Sequence, residues 1–405
     1  MTYHQKTGAR FENLSAFNNE YATGRRGSCA MHVKHQNKWA DVCTLLLLNS
    51  KVSHACLFLL LYLSWVVPSH PVFADTQTDQ SLSFVALPNT EERALRSLQS
   101  SPGDLASECS LPDVWMVSTR QLPSTCCVPM NPGLRVQHFL AQNTTNGCCR
   151  GTWHQSDISS LLGPDAEGQI RPIVIFIHGN RYKHCEAAQQ GLTLAQRCIA
   201  SCAGMGNVRV IIYSWPSEQD GILLKDGRSK YNRAYSEGRY LAWLLGQIKP
   251  TRPVGILGYS FGALITLEAL EDLVEAEESG RTDLQPWINR VAQTNLMFIA
   301  AAVRCDAFAP CGPYRHTLDC VDEVSLIINP KDKVLGFYPM LDCNSKMEAL
   351  GHTGMPRYWM PENVGLSMTN AERIIGKKHG LMLYLASRSL SNYLCSGATS
   401  KLNQP

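Results

Sequence analysis

The chain has 405 residues, enough for one large domain or two ordinary ones with a substantial buried core. Its 37 basic and 34 acidic side chains leave a formal charge of +3, and 44% hydrophobic with 18% charged residues is a globular composition. That balance removes the electrostatic case for a nucleic-acid partner, so neither DNA nor RNA binding is expected.

Residues 1–74 form an N-terminal extension that ends in a signal peptide. "ACLFLLLYLSWVV" at 55–67 is its apolar core, shorter than the run of about 20 residues that a membrane span needs. Val72 and Ala74 then offer a cleavage site after Ala74. Met31 is the candidate true start, because Lys34, Lys38 and Lys51 follow it as a conventional basic region. Export to the periplasm, cell surface or medium is expected. The alternative is an uncleaved anchor through 55–67, which would associate the protein with a membrane.

Thirteen of the 16 cysteines follow residue 100, which favours disulfides in an oxidising compartment over inert buried thiols. An odd number leaves at least one thiol free or bonded to another chain. No C-x-x-C occurs, only the adjacent pairs Cys126-Cys127 and Cys148-Cys149 and a C-x-x-x-C at Cys198 and Cys202, so no metal site is expected.

Residues 75–110, rich in Ser, Thr, Gln and Asp, read as a flexible linker. From 111 to 395 strand and helix signals alternate. The strand candidates are 114–122, 171–180, 208–216, 253–260, 295–303, 323–329 and 363–369. Helical patterns cover 185–202, 231–248, 261–279 and 381–394, with 396–405 left as a tail. This alternation predicts an α/β architecture: a mostly parallel, doubly wound sheet flanked by helices. Chemistry in such sheets gathers at the carboxyl ends of the strands.

One such end carries "GILGYSFGAL" at 255–264. G-x-S-x-G alone turns up by chance in about one chain in ten of this length. Here an apolar strand precedes Ser260 and a long apolar-periodic helix follows it at once, the setting that a nucleophile elbow requires. Gly258 and Gly262 leave room for the tight turn.

With "HGN" at 178–180 after one strand and "GYSFG" after the second strand beyond it, the chain resembles the α/β-hydrolase-fold serine hydrolases, esterases and lipases among them. "VSTR" at 117–120, "YSWPS" at 213–217 and "NPKDKVL" at 329–335 resemble more closely a branch of small bacterial hydrolases known only as a domain of unknown function. The resemblance covers 111–395 and implies an oxyanion hole from the backbone N–H groups of Phe261 and Asn180, with His178 structural.

The fold's order of serine, acid, histidine selects the partners. Asp332, just past the strand at 323–329, is the expected acid, with Asp306 the alternative. His379, between the last strand and the last helix, is the expected base, with His352 the alternative. Short connections after the elbow helix leave no place for a large lid domain. Aromatics in 336–362 either line an acyl pocket or cover the sheet, Trp215 and Tyr259 are expected to pack, and Arg120 to pair with an acid. The expected activity is carboxylic-ester hydrolysis of a small-molecule or lipid substrate through a Ser-His-Asp triad, without a cofactor. An amidase or acyltransferase with the same triad, or a binding protein on the same fold, are the alternatives.

Overall fold

The computed structural model describes residues 112–142, 150–199, 208–221, 223–341 and 346–402. The expected N-terminal extension, signal peptide and linker lie outside the described residues. Nine strands form one sheet in the order β3-β2-β1-β5-β4-β6-β7-β8-β9. In chain order they are β1 (Asp113–Ser118), β2 (Arg135–Gln142), β3 (Arg150–Ser156), β4 (Ile173–Ile177), β5 (Arg209–Ser214), β6 (Val254–Tyr259), β7 (Thr294–Ile299), β8 (Glu323–Ile328) and β9 (Gly365–Asn370).

All neighbouring pairs from β1 to β9 across the sheet are parallel, and only the β1–β2 and β2–β3 pairs are antiparallel. The central strands β4, β5, β6 and β7 are buried at every position, as strands covered on both faces must be. Their continuous apolar runs announce them in the sequence. The β2–β3 hairpin does not announce itself: "RVQHFLAQ" and "RGTWHQS" at the sheet edge keep many polar side chains, so no apolar run marks them.

Five helices matter for the site: α1 (His184–Leu194), α2 (Leu223–Leu245), α3 (Phe261–Glu278), α4 (Leu381–Ala386) and α5 (Arg388–Thr399). A Cβ on Gly258 would meet Ala263 of α3, whereas one on Gly255 would meet the Ala398 carbonyl of α5. Three residues apart on a strand, these glycines point to opposite faces, so α3 and α5 cover opposite sides of β6. α2 packs along α3, and α5 lies along β7 and β8.

Three boundaries differ from the sequence pattern. α2 begins at Leu223, not Tyr231, because the buried Asp226 interrupts the apolar periodicity of its first turns. The last helix divides at Ser387, whose extended backbone and hydroxyl cap the N–H of Leu390, and α5 then runs on to Thr399. Among the described residues no lid domain interrupts the connections after β6 and β7. Cys126, Cys127, Cys185, Cys305 and Cys320 are free thiols, so the expected disulfides do not involve them. Burial pushes the Cys320 thiol far above its usual range, so it is the inert kind.

Candidate active site

The β6–α3 turn holds Ser260 at φ +54°, ψ −119°, a region that costs a residue with a side chain on the order of 1–3 kcal/mol. The surroundings over-determine it. The Ser260 N–H donates to the Ile299 carbonyl at 3.0 Å, and its own carbonyl accepts from Ala263 and Ala302, each at 3.1 Å. Close approach explains the two glycines: a Cβ on Gly262 would collide with the Ile177 carbonyl, and one on Gly258 would stand 2.8 Å from the Ala263 backbone. Arg181 (φ +66°) and Ala300 (φ +45°), just past β4 and β7, also have positive φ, so three neighbouring strand ends carry strained non-glycine residues.

The imidazole and the carboxylate come from loops further along. His379 Nε2 lies 3.0 Å from Ser260 Oγ, and His379 Nδ1 lies 2.7 Å from Asp332 Oδ2. With Nδ1 protonated and donating to the carboxylate, Nε2 is left to accept the serine proton. The other oxygen of Asp332 accepts from the backbone N–H groups of Val334 at 2.9 Å and Leu335 at 3.2 Å. Its two oxygens thus have separate partners, and the side chain is fully buried while His379 keeps a little exposure.

Two contacts set the position of the histidine loop, and neither follows from the sequence pattern. Asn329, fully buried at the end of β8, donates from Nδ2 to the Gly376 carbonyl at 2.8 Å and so ties the acid turn to the histidine loop. Tyr259 donates from its hydroxyl to the His379 carbonyl at 2.6 Å, with its ring 5.3 Å from the imidazole. Tyr259 therefore does more than pack. Its place directly before Ser260 is the one signal that marks it.

The β4 turn is braced from beneath. His178 is wholly buried, and burial followed by the nearby Arg120 charge holds its pKa down at about 3. The neutral ring donates from Nδ1 to the Gly179 carbonyl at 2.8 Å and accepts at Nε2 from the Trp215 N–H at 3.3 Å. Trp215, itself fully buried, returns its indole N–H to the His178 carbonyl at 2.8 Å. Arg120 pairs with Glu218 at 3.0 Å and donates to Ser214 Oγ and the Tyr182 carbonyl, both at 2.9 Å. Buried Asp226 accepts from Asn180 Nδ2 and Arg181 Nε, each at 3.2 Å. Neither the Phe261 nor the Asn180 backbone N–H has a hydrogen-bond partner among the described residues.

A cavity of about 240 Å3 opens over Ser260 and His379, lined largely by apolar groups including Leu224, Phe261, Leu335, Tyr338 and Leu341. Of the aromatics in 336–362, Phe337 and Tyr338 line it, whereas Trp359 packs against the core and Tyr358 stands in solvent. Neither alternative residue belongs to this constellation. Asp306 is paired with Arg304 at 2.5–2.6 Å, and His352 sits on the one-turn helix Leu350–Thr353 without lining the cavity.

A mostly parallel sheet with a serine on the turn after its central strand, an acid two strands later and a histidine after the last strand is the arrangement of the α/β-hydrolase fold. Within that class, residues 154–345 match the family described as "Alpha/beta hydrolase of unknown function (DUF900)". Among solved structures the chain is similar to a Pyrobaculum calidifontis esterase in its monoclinic form, 12% identical over 78% of this chain and 90% of that one, with a TM-score of 0.31. It is also similar to a bacterial heroin esterase, 11% identical over 78% of this chain and 90% of that one, with a TM-score of 0.28. Likeness at that level carries no argument about substrate. No curated protein matches the chain.

Proposed function

We propose that the protein is an exported serine hydrolase that cleaves carboxylic esters. The observation that carries this reading is the continuous relay from Ser260 Oγ through His379 to Asp332, at 3.0 and 2.7 Å. His379 Nε2 takes the hydroxyl proton as Ser260 Oγ attacks the acyl carbon, and Asp332 stabilises the imidazolium that forms. The N–H groups of Phe261 and Asn180 are the donors for the oxyanion, each worth about 2.7–4 kcal/mol in the transition state.

Collapse of the tetrahedral intermediate breaks the ester C–O bond, and the departing alkoxide takes its proton from His379. Water, deprotonated by the same imidazole, then releases the acid and restores the serine. The small cavity, below the roughly 300 Å3 at which sites for drug-sized ligands begin, supports a short acyl group next to the carbonyl. Export rests on the sequence alone, on the apolar core at 55–67 and the small residues up to Ala74.

Turnover of p-nitrophenyl esters of graded chain length tests the reading. Acetate and butyrate should outpace laurate, and Ser260→Ala should lower kcat by about a million-fold. A Ser260→Ala variant as active as the unaltered protein would contradict it.

A further inference from the structure

The segment that roofs the cavity has two apolar faces. It is a 3₁₀ turn, Leu335–Met340, in which residues three apart eclipse one another. Leu335 and Tyr338 therefore point inward together and are buried. Val334, Phe337 and Met340 fall on the other face as one ridge, 52%, 49% and 50% exposed. Val334 and Phe337 also line the cavity mouth, so this ridge is continuous with the way in. Single exposed apolar residues need no explanation, but a contiguous set at the entrance to a site marks a contact surface.

Cations border the ridge. The Lys333 N–H meets the Lys377 carbonyl at 3.4 Å, which sets the turn at 331–333 beside the loop at 376–378. Lys331, Lys333, Lys377 and Lys378 are all exposed there, with Arg373 close by in the chain. The acid among them, Glu372, is already paired with Lys331 at 2.6 Å. Arg228 donates to the Met340 carbonyl at 3.2 Å and fixes the far end of the ridge.

We propose that this face docks on an anionic lipid surface, the ridge entering the headgroup boundary while the surrounding lysines engage acidic headgroups. An apolar edge bordered by Lys and Arg is what an interfacial binder presents, whereas a free anion in solution would engage the lysines and leave the ridge in water. The cavity then opens at the interface, where short-chain esters that partition into the membrane reach Ser260. Only this last step rests on the hydrolase reading.

Co-sedimentation of the full chain with phosphatidylcholine vesicles, with and without about one third phosphatidylserine, tests the docking. Binding should be at least about tenfold stronger to the anionic vesicles, and it should weaken in 1 M salt, where the screening length falls to about 3 Å. Met340→Asp and Phe337→Asp should each lower the bound fraction about tenfold, as should Lys377→Glu combined with Lys378→Glu. Met340 is half exposed and off the cavity lining, so its replacement keeps the fold.

Equal binding to both vesicle types, no binding, or binding unchanged in the ridge and lysine variants would overturn the docking. The last result would assign any membrane affinity to another segment such as 55–67. A chain that docks yet takes up no fluorophosphonate overturns the hydrolase reading alone. One that is labelled yet stays off both vesicles overturns the docking alone.

Discussion

Ser260 and the brace beneath it are almost entirely out of water, whereas Val334, Phe337 and Met340 on the roof of the same cavity stand half in solvent. On the floor, backbone strain at Ser260 and Arg181 is held by hydrogen bonds to Ile299, Ala302 and Asp226, and the His178 ring is kept neutral between fixed partners. On the roof, Leu335 and Tyr338 are buried while Val334, Phe337 and Met340 face solvent on the other side. The difference teaches where position matters and where only chemistry does. On the hydrolase reading, small displacements of the floor cost rate, because a relay of two hydrogen bonds tolerates little misalignment. Changes on the roof alter what the protein touches.

After Ser260→Ala, the largest departure should come from Asp332→Asn, which keeps the shape of the floor but removes the charge that sets the histidine tautomer. A loss of about 10⁴-fold in kcat on a soluble ester is expected, read from steady-state hydrolysis. A loss of only a few-fold would mean that the acid is elsewhere. Next comes Tyr259→Phe, which keeps the ring and deletes the hydroxyl that holds the His379 carbonyl. About a tenfold drop in kcat with little change in KM is expected, the equivalent of one hydrogen bond of about 1.4 kcal/mol. A change confined to KM would make Tyr259 a substrate contact instead.

Behind the floor, burial raises the Glu268 carboxyl to about 7 despite the hydrogen bond it accepts from Tyr314. A carboxyl raised in the folded state stabilises fully below its unfolded pKa near 4.5, and that contribution is lost as pH rises through 7. Glu268→Gln should therefore match the unaltered protein near pH 5 relative to its own baseline, and by pH 7.5 gain about 2 kcal/mol on it, measured by urea unfolding. An identical pH slope in both proteins would place the proton elsewhere. The smallest effect is expected for His352→Ala, with less than about a twofold change in kcat. A collapse in activity there would break the assignment of the base.

How much of this was legible in the sequence depends on how local each feature is. The nucleophile turn is encoded within a dozen residues, as an apolar strand, Gly258-Tyr259-Ser260-Phe261-Gly262 and a helix, and the structure forms it as written. Asp332 and His379 could be named from chain order and strand ends, and the structure brings both to Ser260. The fixtures that align them could not. Asn329 reaches across 47 positions and Tyr259 across 120, and no periodicity reports such pairs. Asp226 was hidden for another reason: a buried carboxylate on the first turns of α2 reads as a break in the helix until its partners Asn180 and Arg181 are in view. The ridge went unread because 3₁₀ spacing over six residues gives neither a helical nor a strand signature.

The central claim is that Ser260 Oγ is the nucleophile in a covalent step, and mapping a fluorophosphonate adduct tests it most directly. The predicted result is a single modified peptide carrying the label on Ser260, with labelling abolished in Ser260→Ala and strongly slowed in His379→Ala. A chain that stays unlabelled while folded, or one labelled at another residue with Ser260 untouched, would contradict it.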